Sequence, residues 1–361
     1  MARKKKRADG RIVITKTYNG KRKFFYGSTK AEAESKQEAF EQAQSKNVYS
    51  SDILYDEWLD AWLEYIKNNL SAATFDSYCG VVRLHIRPAL GRYTLSEIST
   101  PLLRDFFAQK RESGLSPRSI EYIYTLLKSS LKQALFDDII DKNPMDKVAK
   151  PKVYKTKDIV ALDKFQVKKL LDTISTNEIR RLFQFAIATG LRRSELLGVR
   201  WCDIDSLHKT VSVAQTVLKI GSKTIISPTT KNTSSRRTIS LDSKTFSLLK
   251  EQRITVIERK LKTIDYVDLD LVFPGENGNP RNPDWVTKMA RDYGKKAGLP
   301  AGFSFHSLRH THATLLLKAG VHFKVVQSRL GHSSFKQTMD TYSHVTPDLD
   351  CDVAKKIENF L

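Results

Sequence analysis

Residues 306–342 read HSLRHTHATLLLKAGVHFKVVQSRLGHSSFKQTMDTY. Leu308, Leu315, Leu316 and Ala319 recur at helical spacing before Gly320, which predicts a helix over 306–319. A second helix is expected over 322–330, closed by Gly331. His306 and Arg309, three residues apart, share one face of the first helix. His332 falls in the turn after Gly331, and Tyr342 follows ten residues later (342 − 332). A phenol, with a pKa of about 10, is protonated at neutral pH. It becomes a nucleophile where cations stabilise the charge it attacks and an imidazole takes its proton. Taken alone, helix, glycine turn and helix equally describe a helix-turn-helix that reads a DNA groove. His310 and His312 read as structural or surface imidazoles.

Upstream, two further segments carry side chains suited to phosphate. In Thr189-Gly190-Leu191-Arg192-Arg193-Ser194-Glu195-Leu196, Gly190 is placed to end one helix and Ser194 to cap the next. Arg192 then sits on the turn, aimed outward, where a guanidinium grips two phosphate oxygens. Glu195, three residues on, is close enough to orient it. Thr229 to Arg237 is a polar turn between two β-type runs, with Lys231 at its tip able to protonate a leaving oxygen. Arg193 and Lys223 are the neighbours most easily confused with Arg192 and Lys231. Around these segments, helices are expected near 163–175, 178–189, 242–261 and 283–297, and strands at 211–214, 224–226 and 237–239.

The 361 residues carry a formal charge of +21, with 40% hydrophobic and 28% charged residues. Such an excess favours polyanions, nucleic acid before membrane. No apolar run approaches the roughly 18 residues that span a bilayer. The basic start Met1-Ala2-Arg3-Lys4-Lys5-Lys6-Arg7 has no apolar segment behind it, so it is not a secretory signal. Cys79, Cys202 and Cys351 are far apart, which predicts reduced thiols in a cytoplasmic protein and excludes structural zinc. Asp9 is the one acid within residues 1–30, among bases that include Arg11, Lys21, Arg22 and Lys23. Ile12-Val13-Ile14 and Lys23-Phe24-Phe25-Tyr26, joined by Asn19-Gly20, predict a hairpin. A polar helix is expected from Thr29 to about Ser45. A small sheet backed by a helix can present strands to a DNA groove; a basic tail with a solubilising helix is the alternative.

Past a polar linker at 47–51, Leu54, Trp58, Trp62 and Tyr65 mark an apolar helical stripe, read as core rather than a base-stacking platform. Further helices are expected near 71–84, 100–113 and 117–137, interrupted by Pro88, Gly91 and Gly114. Lys147, Lys150, Lys152, Lys155 and Lys157, with Pro151 and no acid, predict an extended linker. Lys150, Lys152 and Lys155 there suit a strap along phosphates.

The order of Arg in Thr-Gly-Leu-Arg, Lys between β runs, His-x-x-Arg, Leu-Gly-His and then Tyr resembles the tyrosine recombinase (phage integrase) family over essentially the whole chain. The N-terminal region resembles integrases of phages and integrative elements of Gram-positive bacteria. The resemblance implies an α+β multidomain fold. Residues 1–46 would form an arm-site DNA-binding domain of β-sheet plus helix, and 52–144 an all-helical core-site-binding domain. A basic linker at 145–157 would lead to a mostly α catalytic domain at 158–361 with a small β-sheet. It further implies that Tyr342 is the nucleophile, joining the DNA 3′-phosphate and freeing a 5′-hydroxyl. Arg192 and Arg309 would clamp the scissile phosphate, and His332 would hydrogen-bond it. His306 would be the general base, Lys231 the acid for the leaving oxygen, and Glu195 the supporting carboxylate. Neither metal nor other cofactor is implied.

The implied partners are double-stranded DNA at core and arm attachment sites, sister subunits in a homotetramer, a host DNA-bending protein and an excisionase. Leu349, Val353, Ile357 and Leu361 predict an amphipathic tail helix, which the resemblance docks on a neighbouring subunit and the plainer reading on its own domain. The rivals are a host-type chromosome dimer resolvase, a type IB topoisomerase, and a non-catalytic helix-turn-helix regulator.

Overall fold

The computed structural model describes residues 12–18, 21–46, 51–152, 160–228 and 236–331, without the side chains of Tyr18, Lys21 and 39–46. Arg11, Lys155, Lys231, His332, Tyr342, Cys351 and the tail at 348–361 therefore lie outside the described residues. The fold is mixed α+β and divides into two compact units, Met1–Tyr154 and Lys155–Leu361.

In the first unit, strands β1 (Ile12–Tyr18) and β2 (Lys21–Gly27) pair antiparallel from Tyr18↔Lys21 to Ile12↔Gly27, the register an Asn19-Gly20 turn predicts. Helix α1 (Lys30–Lys46) packs on the hairpin, and Phe25 of β2 and Ala33 of α1 are buried. Side chains alternate along a strand, so Arg22, Phe24 and Tyr26 share the opposite face, where Arg22 and Phe24 are exposed.

Helices α2 (Tyr55–Lys67), α3 (Ala72–Val81), α4 (Arg87–Leu90), α5 (Thr100–Glu112) and α6 (Pro117–Phe136) form an all-helical bundle. Trp58 and Trp62 are core residues as expected, and the Trp58 indole donates to the Ser130 carbonyl at 3.2 Å. The ends of the expected stripe are not core: Leu54 and Tyr65 are exposed. Tyr55, Leu59 and Leu63 complete the buried face instead, because Leu54 is the extended N-cap and lies before the helix.

Pro88 does not break the third helix. A π-helical turn, Val82–Ile86, joins α3 to α4, and the wider turn accommodates a proline that has no N–H to give the ladder. Gly114, at φ +78°, does end α5. The expected linker starts inside this core. A 3-10 turn at Pro144–Lys147 buries Met145 and Val148, and the Tyr124 hydroxyl donates to the Val148 carbonyl at 3.2 Å. Lys150 and Lys152 are exposed, with Lys150 2.9 Å from Glu121.

The second unit begins with α7 (Lys164–Thr173), α8 (Asn177–Thr189) and the short α9 (Arg193–Gly198). Two small sheets follow: β3 (Ile204–Asp205), β4 (Thr210–Ser212) and β7 (Thr238–Ser240) in the order β3-β4-β7, and the hairpin of β5 (Gln215–Ile220) with β6 (Lys223–Pro228). Strands β3 and β5 are not among the strands expected from the sequence, which stop at Ala214 and resume at Thr224. Among the described residues, strands β6 and β7 pair in different sheets and not with each other, and the expected turn at 229–235 between them lies outside the described residues. Lys223 lies instead at the turn end of the β5–β6 hairpin.

Helices α10 (Ser243–Lys262), α11 (Pro283–Lys296), α12 (Phe305–Lys318) and α13 (Phe323–Leu330) complete the unit. Phe183 of α8 packs edge-on against Tyr293 and Phe305, which fixes α8, α11 and α12 around one core. A satellite cluster of Ala313, Leu317, Val326 and Leu330 seats α13 on α12. Leu308 is buried, but Leu315 and Leu316 are half-buried and Ala319 is exposed; Leu317 takes the core position.

Candidate active site

The site is built around two glycine-ended helices. Helix α8 stops at Gly190 (φ +66°) and α13 at Gly331 (φ +66°), both in the left-handed region glycine adopts at low cost. A Cβ on Gly190 would lie 2.5 Å from His312 Cδ2 and 2.8 Å from Leu330 Cδ2, so here both conformation and close approach require glycine.

A helix leaves its last carbonyls without partners inside the helix. At the end of α13, three consecutive carbonyls take arginines from three separate segments. Arg237, just before β7, donates through Nε to the Arg329 carbonyl at 2.7 Å. Arg309 of α12 donates through Nη2 to Leu330 at 2.7 Å, and through Nη1 to the Gly190 carbonyl at 2.8 Å. Arg192, at the start of α9, donates through Nη2 to Gly331 at 2.8 Å. The partial negative charge at a helix C-terminus favours this arrangement.

Glu195 ties the group together from below. Its Oε2 accepts from the Arg192 backbone N–H at 2.9 Å, so Glu195 rather than the expected Ser194 caps α9. Its Oε1 accepts Arg192 Nη1 at 2.7 Å, and Arg237 reaches both oxygens at 3.2 and 2.9 Å. Glu195 is 2% exposed. Burial alone pushes its carboxyl up, but Arg237 and then Arg192 outweigh that and hold it at about 2. These three guanidiniums and one carboxylate sum to +2 (3 − 1), and Arg329 in the last turn of α13 adds a further positive charge. Arg309 is 3% exposed; burial, then the neighbouring Arg192, lowers it to about 9, still protonated at neutral pH.

Of the residues expected at the site, Arg192, Glu195 and Arg309 come together. Arg192 is half-buried and turned onto Glu195 rather than aimed outward. Arg193 points elsewhere, to Thr287 and Asp284 of α11. His306 stays exposed near the start of α12, its ring 4.6 Å from that of His310. Crowding by protein atoms around the ring, followed by the charges of Arg309 and Arg192, lowers its pKa, so the imidazole is neutral at neutral pH. Lys231, His332 and Tyr342 lie outside the described residues, with His332 next in sequence after Gly331.

Arg237 and Arg329 were not singled out from the sequence, and His312, read there as a structural or surface imidazole, is structural. His312 is buried, donating from Nδ1 to the Ile187 carbonyl at 2.7 Å and accepting Arg329 Nε at its Nε2 at 3.2 Å. Burial, then Arg329, lowers it to about 4, so it is a neutral strut between α8 and α13. Arg329 also reaches the Ala188 and Ser240 carbonyls. Arg237 had a legible signal: residues 237, 239 and 241 share one strand face, and Ile239 and Leu241 are buried.

The arrangement is a rigid, positively charged cradle beside a neutral imidazole, with a chemistry suited to a phosphodiester. The model of the phage integrase family matches residues 161–348, and that of the phage integrase N-terminal SAM-like domain matches 54–110. The chain belongs to the phage integrase family. This tyrosine recombinase is 32% identical to a XerC-like tyrosine recombinase of Caldanaerobacter subterraneus subsp. tengcongensis, over 93% of this chain and 92% of that protein. It is 26% identical to the ICEBs1 integrase of Bacillus subtilis, over 78% of this chain and 76% of that one. The fold of the recombinase is similar to that of the Tn1549 transposon integrase, solved in complex with transposon right end DNA. The TM-score is 0.69 at 22% identity, covering 85% of this chain and all of that one. Among the described residues no helix is long and apolar enough to cross a membrane.

Proposed function

We propose that this tyrosine recombinase integrates, and excises, a mobile element through covalent 3′-phosphotyrosyl intermediates on double-stranded DNA. The observation that carries the reading is the convergence of Arg192, Arg309 and Glu195 on the last turn of α13, one residue before His332. In this account Tyr342 attacks the scissile phosphorus while neutral His306 takes its proton. Lys231 then protonates the departing 5′-oxygen. Attack raises the charge on the phosphoryl oxygens, and the positive surplus lies ready to balance it, with Arg192, Arg309 and His332 as donors. Losing one such donor costs on the order of 10²- to 10³-fold in rate. The phosphotyrosyl ester conserves bond energy, so the freed 5′-hydroxyl of another strand can reverse the step.

Exchange of two duplexes requires four cleavages. With one nucleophile per chain, that calls for a tetramer on DNA. Residues 1–46 are assigned to arm sites, where Arg11, Lys21, Arg22 and Lys23 supply charge and exposed Arg22 and Phe24 lie on the open face of the hairpin. Residues 52–144 are assigned to core sites, with Lys150, Lys152 and Lys155 along the phosphates. A host DNA-bending protein and an excisionase are the accessory partners of this scheme.

Similarity to a XerC-like protein favours a second reading, resolution of chromosome dimers. The test uses a duplex selected by the full chain from a random-sequence pool, with nicks tiled across it, in EDTA. A covalent complex is expected from wild type and none from Tyr342→Phe, which should still bind. Deleting residues 1–46 should abolish binding to a selected arm sequence and leave core-site cleavage intact. Loss of core cleavage in that deletion would favour the second reading.

A further inference from the structure

We propose that Arg237 is a positioning residue for strand cleavage: it locks Glu195 against the last turn of α13 and so sets Arg192, without itself touching DNA. The inference rests on the reading of Arg192 as a phosphate clamp.

Arg237 fits this role by geometry. Its side chain is only 7% exposed, against 35% for Arg192, so Arg192 is the more open of the two to a phosphate from solvent. All three of its guanidinium nitrogens are committed, Nη1 and Nη2 to the two Glu195 oxygens and Nε to the Arg329 carbonyl. Its own carbonyl accepts from the Val213 N–H at 2.9 Å, which ties its backbone down just beyond β4. One planar fork therefore connects the carboxylate under Arg192, the turn that leads into His332, and the sheet.

Arg237 also ends the segment that carries Lys231. Its two anchors fix the start of β7 relative to Arg192 and α13. A lysine keeps the charge but supplies neither the fork nor the third contact. With Arg237 gone, Glu195 loses the partner that does most to keep it ionised, so burial raises its pKa. At acid pH it protonates and releases Arg192. The acid limb of the cleavage rate therefore moves to higher pH in the variant.

The experiment measures single-turnover cleavage and binding by the full chain on the selected nicked duplex, from pH 5 to 8. Arg192→Ala serves as the reference. Arg237→Ala is expected to bind within about threefold of wild type and to cleave about 10²-fold more slowly, with its acid limb shifted upward. Arg237→Lys should recover roughly tenfold of that loss. Adding Glu195→Gln to Arg237→Ala should remove the shift of the acid limb. Rates are taken per folded molecule, and if Arg237→Ala does not fold, Arg237→Lys carries the test, expected about tenfold slower than wild type with unchanged binding. Wild-type rates at every pH from the folded Arg237 variants, or a loss accounted for by binding, would overturn the proposal. If instead Arg192→Ala cleaves like wild type, the reading of the site fails, and with it the ground for the inference.

Discussion

Glu195→Gln removes one charge and little volume from the most connected point of the site. Wild-type Glu195 holds its carboxyl at about 2 against an ordinary 4.5, and the difference corresponds to about 3 kcal/mol of stability at neutral pH. At 2% exposure the carboxylate is shielded from solvent screening, which preserves a contribution of that size. It also agrees with the roughly 3–5 kcal/mol lost when one partner of a buried ion pair is removed. A glutamine keeps one acceptor oxygen but sets an N–H donor against a guanidinium. Because the folded pKa is depressed, the contribution is complete above about 4.5 and disappears as pH falls toward 2.

Hydrogen exchange on the full chain locates the effect. Amides of α9 and α12 should lose about a hundredfold in protection at pH 7, while those of α5 and α6 in the other unit stay unchanged. The thermal midpoint gap between variant and wild type should narrow between pH 4 and pH 3. Protection within threefold of wild type in α9 and α12, or a gap that widens as pH falls, would refute the reasoning.

Three further outcomes follow from the same geometry. Gly190→Ala meets left-handed strain and a contact 2.5 Å from His312 Cδ2, together about 3 kcal/mol, and calorimetry should show a melting drop of roughly 6–12 °C. Arg309→Lys cannot span the Gly190 and Leu330 carbonyls, leaves one buried acceptor unmet at about 1–3 kcal/mol, and should cut adduct formation about 10²-fold or more; a wild-type adduct rate would contradict the clamp. The lowered pKa of His306 places its acid limb of the cleavage rate below the ordinary 6.5, and His306→Ala should lose that limb; a midpoint above 6.5 in wild type would rule out a neutral base.

The helix-ending glycines, the Arg-Glu pair and the His-x-x-Arg face were legible because each is a local signal with a local cause. The carbonyl grip was not. Backbone acceptors are the same for every residue, so nothing in Arg329-Leu330-Gly331 announces that three arginines will meet there. The stripe of α2 was misread at both ends because periodicity gives the apolar face but not where the helix begins. Pro88 was read as a stop, since the rule assumes an α-helical ladder and the chain uses a π turn there. The connection around 229–235 looked like a hairpin because sequence shows that strands are neighbours in order, not which strands pair.

In the proposed function the cradle serves a tyrosine that becomes covalently joined to DNA. The most direct measurement isolates the adduct formed on the nicked duplex in EDTA, digests it, and identifies the DNA-linked peptide by mass spectrometry. A single 3′-phosphotyrosyl linkage at Tyr342, absent from Tyr342→Phe, is expected. A linkage to another residue, or binding with no covalent product under conditions where strand exchange occurs, would contradict it.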